Sequence, residues 1–449
     1  MQISRHKGLL YTLFSIAVIA GGTYLAIKYA KGGYRVTDDG FYQNTGLLAV
    51  NSLPTGAQVF INDRLVTATD DTVYLEPKDY KVKIVKDGYS AWEKTLTLES
   101  ELVTQTNARL FPSAPSITPL TFTGVENLST APDGQKILYY TASSSARKNN
   151  GLYILDLADN TLSFQKGPRQ IAEDSSEIDL KNAQFIWSPD SSKLILIDRD
   201  RQFLIDITKN NDLDSLTDIT FQSQQLLDEW EQEMLLREQQ FLVKFPLEIV
   251  KIATQSANNV YFSPDKKRLL YTATQSAQIS DELIPSLPAA STQQQERNIV
   301  AGGIYIYDRE EDRNFRVGTA SPSASLPTKH LLSIELKESD LLTTAGAATN
   351  SALNSLQAED IQTTIQNFNV YHTSLYSDTF QWHPDSKHLF FTNENEIKVV
   401  EYDGTNTNTL YFGPFTKKFA YPWPDGSRLL VLTGFSPNVP LNLYAIELE

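Results

Sequence analysis

Apolar and polar residues alternate with a period of two over most of this chain, and the pattern changes in only a few places. The first is at the N-terminus, where Leu9 to Ile27 (LLYTLFSIAVIAGGTYLAI) carries no charge and no alternation. That predicts one apolar helix of about the ~20 residues a bilayer core requires. A cleaved signal peptide has a shorter apolar core of ~7–15 residues and a small-residue cleavage site; Lys28-Tyr29-Ala30-Lys31 is a poor one. An uncleaved membrane anchor is therefore expected over 8–30, after a short tail at 1–7. Arg5 and Lys7 precede it and Lys28, Lys31 and Arg35 follow, so the flanking cations do not set its orientation. Gly22 and Ala26 have the spacing of a close helix–helix contact, a pairing that is more often incidental.

After a linker at 31–43, alternation begins. Leu47 and Ala49, Val59 and Ile61, Val73 and Leu75, Tyr80, Val82 and Ile84, then Trp92, Leu96, Leu98 and Val103 are separated by polar residues. Turn formers interrupt them at Pro54-Thr55-Gly56, Asn62-Asp63, Glu76-Pro77-Lys78-Asp79 and Asp87-Gly88. This predicts a half-buried antiparallel sheet folded into a small β-sandwich that ends near Pro112.

From about Ser116 one unit recurs five times. Its copies are Ala131-Pro132-Asp133-Gly134-Gln135-Lys136, Ser188-Pro189-Asp190-Ser191-Ser192-Lys193, Ser263-Pro264-Asp265-Lys266-Lys267-Arg268, His383-Pro384-Asp385-Ser386-Lys387-His388 and Trp423-Pro424-Asp425-Gly426-Ser427-Arg428. Pro and Asp set a turn, since Pro presets φ and Asp bonds the backbone that follows. Each copy leads into an apolar strand such as Ile137–Tyr140 or Leu194–Ile197, and then into a second strand ending in an acid, such as Leu152–Asp156 or Phe203–Asp206. Turn, strand, turn and acid-ended strand form the core of a four-stranded propeller blade of ~40–50 residues. The prolines are 57, 75, 120 and 40 residues apart, so three of the four intervals carry insertions, and about six blades are expected.

The insertion at about 222–245 reads as a helix, with Leu227, Trp230, Met234 and Phe241 near one stripe and Pro246 as its stop. Trp230, Met234 and Phe241 are candidates for a partner surface; docking of this stripe on the chain's own propeller is the alternative. The insertion at 275–302 is rich in Ser, Gln and Pro and is expected to be flexible. The one at 318–365 has room for a degenerate blade or a short helix.

Two stretches resemble known families. Gly46-x-Leu48-x-Val50-x-Ser52-x-Pro54-Thr55-Gly56-Ala57-x-Val59-x-Ile61, Asp79-Tyr80-x-Val82 and Gly88-Tyr89-x-x-Trp92 resemble the PEGA domain over about 44–112, with Thr55 in place of its usual Glu. That resemblance implies an extracytoplasmic protein, hence an N-terminus inside the cell and the bulk outside. The Pro-Asp units resemble the TolB-like and WD40-like propeller repeat over 116–449, which implies a fold and no particular activity.

Composition narrows the chemistry. A net charge of −15 disfavours nucleic acid, whose binding is driven by phosphate neutralisation. With no cysteine there are no disulfides, thiolate metal sites or Cys nucleophiles. The serine-hydrolase elbow Gly-x-Ser-x-Gly and the phosphate-binding glycine loops are also missing. His383 and His388 stand in repeat slots filled elsewhere by Ser and by Lys or Arg, and so read as structural. The repeated Asp133, Asp190, Asp265, Asp385 and Asp425 read as turn caps, and no cofactor or metal is expected. Trp187, Trp382 and Trp423 read as packing between blades, and Trp92 as core of the small domain.

The expectation is a mainly β, membrane-anchored, extracytoplasmic binding or scaffold protein without catalysis. Its partner would be an envelope protein or polysaccharide, with the bilayer engaged by the N-terminal helix. An enzyme acting on surface glycans through carboxylates of the propeller funnel is the rival. A sensor acting through a separate membrane partner is a third reading.

Overall fold

A computed structural model describes residues 3–30, 34–36, 42–158, 167–285, 291–320, 380–393, 395–416, 419–436 and 439–449, with side chains described from 11–27 and from 45 onward within those ranges. Helix α1 spans Ile3–Ala30 and encloses the uncharged stretch. No helix among the described residues is long and apolar enough to cross a membrane. Contacts divide the chain into two units, Met1–Phe111 with Ser286–Gln294, and Pro112–Pro285 with Gln295–Glu449.

In the first unit the alternating residues form two main sheets. One holds Gly46–Val50 between Asp71–Leu75 and Val103–Gln105; the other runs Arg64–Ala68, Gln58–Ile61, Asp79–Val85, Trp92–Thr97. Leu48, Val50, Val59, Ile61, Val82, Ile84, Trp92, Leu98 and Leu110 share one core. Period-two burial is clearest in Asp79–Val85, where Tyr80, Val82 and Ile84 are buried and Lys81 and Asp79 are exposed. The antiparallel pairing expected from the sequence does not hold throughout. Val103–Gln105 lies parallel to Gly46–Val50, and Ala108–Arg109 parallel to Ser52–Leu53. Alternation reports which face is buried and carries no record of strand direction.

The second unit contains five sheets built on the Pro-Asp copies. Sheet one is Glu126–Thr130, Lys136–Thr141, Gly151–Asp156 and Arg169–Glu173; sheet two is Gln184–Trp187, Lys193–Asp198 and Arg201–Asp206. Sheet three is Ala257–Phe262, Arg268–Ala273, Gly303–Asp308 and Arg313–Thr319; sheet four is Gln381–Trp382, His388–Thr392, Glu396–Glu401 and Asn408–Phe412. Sheet five is Ala420–Pro422, Arg428–Thr433 and Asn442–Glu447, and its fourth strand is Ile117–Pro119, from the start of the unit. The register Ile117↔Ile446 thus ties the unit's two ends together. Asn442 reinforces the tie, accepting bonds from Thr121 and from the Gly124 amide.

Sheets one and two, three and four, four and five, and five and one contact one another directly. Leu138 and Trp187 join sheets one and two in one cluster, Leu270 and Leu389 join three and four, and Tyr421 and Tyr139 join five and one. Trp187, Trp382 and Trp423 lie in these three junctions. Between sheets two and three stand helices α2 (Ser223–Leu242) and α3 (Leu247–Gln255). α2 packs on sheet two through Leu227, Trp230 and Met234; its end and α3 pack on sheet three. Most of the insertion at 318–365, and with it the expected extra blade or helix, lies outside the described residues.

Candidate functional site

Two ends of the second unit differ in chemistry, and the strand order defines them. The Pro-Asp turns link the first and second strands of every sheet. The loops from second to third strand, 142–150, 199–200, 274–302, 393–395 and 434–441, therefore leave at the opposite end.

At the Pro-Asp end the carboxylates cap their own turns. Asp133, Asp190, Asp265, Asp385 and Asp425 each accept from the backbone N–H two residues on, at 2.8–3.0 Å. In each copy the residue after Asp is left-handed: Gly134 (φ +72), Ser191 (+57), Lys266 (+62), Ser386 (+63) and Gly426 (+77). The position needs more than an ordinary turn former, since a left-handed residue other than glycine is strained by ~1–2 kcal/mol. Ser188 and Ser192 hydroxyls hold the Asp190 carboxyl down to about 2. The repeat cation is the direct cross-strand partner of the acid that ends the third strand in every sheet: Lys136↔Asp156, Lys193↔Asp206, Arg268↔Asp308, His388↔Glu401 and Arg428↔Glu447. In the four copies with Lys or Arg, opposite charges facing one another in this way stabilise the pair of strands.

Neighbouring turns are stitched together. The Asp133 N–H donates to Ser191 Oγ of the next sheet, and the Asp265 N–H donates to Ser386 Oγ of the next. At the junction of sheets four and five the acceptor position is Gly426, which has no hydroxyl. There the Asp385 N–H turns back to His383 Nδ1, while His383 Nε2 donates to the Gly426 carbonyl at 3.1 Å. His388 Nδ1 lies 2.8 Å from Asp385 Oδ2, and His383 Nδ1 lies 3.0 Å from Asp385 Oδ1. Both imidazoles are buried. The sequence shows both histidines as repeat substitutions, and the structure brings them onto one carboxylate. The signal for that convergence was the spacing His-x-Asp-x-x-His, a pattern that no other copy shares.

The candidate partner residues lie elsewhere. Trp230 and Met234 are buried against Ile186, Ile195 and Ile197 of sheet two. Phe241 packs edge-on to Phe262, with Lys244 and Lys266 over its ring. The helix stripe therefore docks on its own unit, because its apolar side chains cover faces of sheets two and three that would otherwise be exposed.

Exposed apolar side chains gather instead at the loop end. Phe412 is 73% exposed, Phe435 58%, Val439 51% and Phe122 78%. Phe122 adjoins the 434–441 loop, because the Val125 N–H donates to Leu441 O and Gly124 abuts Pro440. The chain after Phe412 is tied there too, as Thr433 and the Thr416 N–H bond Pro414 O and Leu432 O. These residues escape a sequence reading that assigns aromatics of a β protein to the core. What marks them is position: Phe122 and Phe435 each lie within two residues of a loop glycine, Gly124 and Gly434.

Comparisons with known proteins bear first on the small unit. Residues 45–114 match the PEGA domain. The matched segment contains the core of the first unit, from Leu48 to Leu110. No curated protein matches the chain. Among solved structures, putative TolB from Agrobacterium tumefaciens is similar at 13% identity over 74% of this chain and 83% of its own, with a TM-score of 0.22. TolB from Acinetobacter baumannii is similar at 12% identity over 83% of this chain and 62% of its own, with a TM-score of 0.20. Oligogalacturonate lyase from Vibrio parahaemolyticus is similar at 11% identity over 82% and 86%, with a TM-score of 0.25.

Proposed function

We propose that this protein is a membrane-anchored, extracytoplasmic binding or scaffold protein without catalysis of its own. Its second unit is a β-propeller of about six blades, and a protein partner engages the loop end opposite the Pro-Asp turns. The single observation behind this reading is the exposed apolar set at that end, Phe122, Phe412, Phe435 and Val439. Exposed aromatics that meet at one end of a rigid scaffold are the composition of a protein-binding surface. Sheet-to-sheet contacts, and the closing of the last sheet by the unit's first strand, support the propeller. The anchor is proposed from the uncharged Leu9–Ile27 stretch of the sequence, and the extracytoplasmic placement from the PEGA match.

In-cell crosslinking from a photoreactive residue at position 435 tests the partner. The expected outcome is one reproducible protein adduct that disappears when Phe122 and Phe412 are both changed to Ser. Absence of any adduct, together with turnover of an envelope glycan by the purified chain, would favour the enzyme reading. Protease shaving of intact cells tests the placement, and protection of the second unit would sink it.

A further inference from the structure

We infer that the turn of sheet four binds a divalent cation of the zinc type through His383 Nδ1, His388 Nδ1 and the Asp385 carboxylate. The three ligand groups lie within 4.8 Å of one another. Donor atoms sharing one zinc stand ~3–4 Å apart, given metal–ligand distances of ~2.0–2.2 Å. The two imidazole–carboxylate separations, 3.0 and 2.8 Å, lie at and just below the short end of that range, so a bound ion would spread the groups slightly.

The tautomer of His383 is set by its neighbours. Its Nε2 faces the Gly426 carbonyl, which can only accept, so Nε2 bears the hydrogen. Nδ1 then turns its single lone pair to the turn, where the Asp385 N–H occupies it and Asp385 Oδ1 lies 3.0 Å away, so zinc binding exchanges that N–H bond for a metal bond. A lone pair opposite a carboxylate oxygen is relieved by a cation between them. Fixing the remote nitrogen of a histidine on a backbone carbonyl is also how proteins orient a metal-binding imidazole. In sheet one the matching cation is built in, since Lys136 Nζ sits on Asp133 Oδ2. In sheet four that slot holds His388, an imidazole able to ligate a metal where lysine cannot. Two imidazoles and a carboxylate favour zinc and its neighbours over calcium or magnesium, which select oxygen. The Asp385 side chain is 23% exposed, which leaves the carboxylate side open to an incoming ion and to a water as fourth ligand.

The test uses the purified full chain, stripped with chelator and titrated with ZnCl2, with Co2+ as a spectroscopic stand-in. One equivalent of zinc is expected, with a rise in the thermal midpoint and cobalt d–d bands of a four-coordinate N/O site. His383→Ser and His388→Lys install the residues of sister turns, and circular dichroism checks that each stays folded. Each is expected to lose the equivalent, the midpoint rise and the cobalt bands. Either of two results overturns the inference: a wild-type chain that takes up no zinc, its turn being held by protons alone, or retention of the equivalent in both folded variants.

Discussion

His383 fills the space that a side chain at position 426 would occupy. A Cβ built on Gly426 would lie 2.6 Å from His383 Cε1 and 2.8 Å from its Nε2. Elsewhere the same place in the neighbouring turn is taken by a serine, Ser191 or Ser386, whose hydroxyl receives the preceding turn's Asp N–H. The junction of sheets four and five has therefore exchanged a serine for an imidazole reaching across from the other turn.

A double-mutant cycle follows from this exchange. Gly426→Ser drives a side chain into the imidazole, and overpacking of this kind costs ~1–3 kcal/mol. His383→Ser leaves the gap beside Gly426 unfilled and is also destabilising. Together the two changes rebuild the sister arrangement, with the new hydroxyl at position 426 placed to accept the Asp385 N–H. Left-handed serines at Ser191 and Ser386 show that the backbone there admits the residue. Urea unfolding in chelator-containing buffer should show the double variant more stable than the sum of the single losses predicts, by ~0.5–3 kcal/mol. Simple additivity would show that the imidazole and Gly426 do not share one space.

The Arg268–Asp308 pair lies within sheet three, and Arg268 also reaches sheet four. Arg268 Nε lies 2.8 Å from Asp308 Oδ2, which is close enough for an ion pair but is not aligned as a hydrogen bond. Its guanidinium also donates to Ser386 O and stacks over Tyr402 at 4.1 Å. Asp308 is fully buried. Arg268→Met strands that carboxylate, at a cost of ~3–5 kcal/mol. Adding Asp308→Asn should recover part of the loss in the same urea measurement. Equal midpoints for the single and double variants would show that the charge on Asp308 is not what makes the loss.

Much of this architecture is legible in the residues. Pro132, Pro189, Pro264, Pro384 and Pro424 locate the five turns, and the alternation at Tyr80, Val82 and Ile84 locates a sandwich strand. A cation after each turn and an acid at the end of the third strand are both visible, as in Arg268 and Asp308. That they face each other emerges only from the register. Strand direction is not written in the alternation, so the parallel pairing of Val103–Gln105 is missed. The left-handed demand at Ser191, Lys266 and Ser386 was masked by their tolerance of strain. Cross-sheet relations were the least legible: His383 meets Gly426 across 43 positions. Exposure of Phe122, Phe412 and Phe435 depends on which strand ends share one end of the sheets.

Trp230 separates packing from recognition. It is 8% exposed and shares its cluster with Leu227, Met234 and three isoleucines of sheet two. Trp230→Ala is expected to cost ~3–5 kcal/mol, as for other large aromatic truncations in a core. The adduct formed from position 435 should survive in the fraction that stays folded. Loss of the adduct with an unchanged unfolding midpoint would instead return α2 to the role of a partner surface.

High pH should unfold the second unit sooner than its carboxylates would lead one to expect. Burial pushes the Tyr140 phenol up to about 12, and burial also raises Tyr139, Tyr271, Tyr307 and Tyr402. Unfolded phenols lose their protons near ~10, where the folded ones keep theirs. The folded chain then binds more protons than the unfolded one, so stability falls as pH rises above the unfolded value and goes on falling towards the folded one. Below ~10 both states hold their phenolic protons, and this contribution is independent of pH. Urea midpoints should therefore be level at mildly alkaline pH and drop beyond it. Tyr402→Phe removes one titrating hydroxyl while leaving a ring under the Arg268 guanidinium, so its midpoint should fall less steeply than that of the wild type. An unchanged slope in that variant would show that the Tyr402 phenol ionises in the folded chain as it does in the unfolded one.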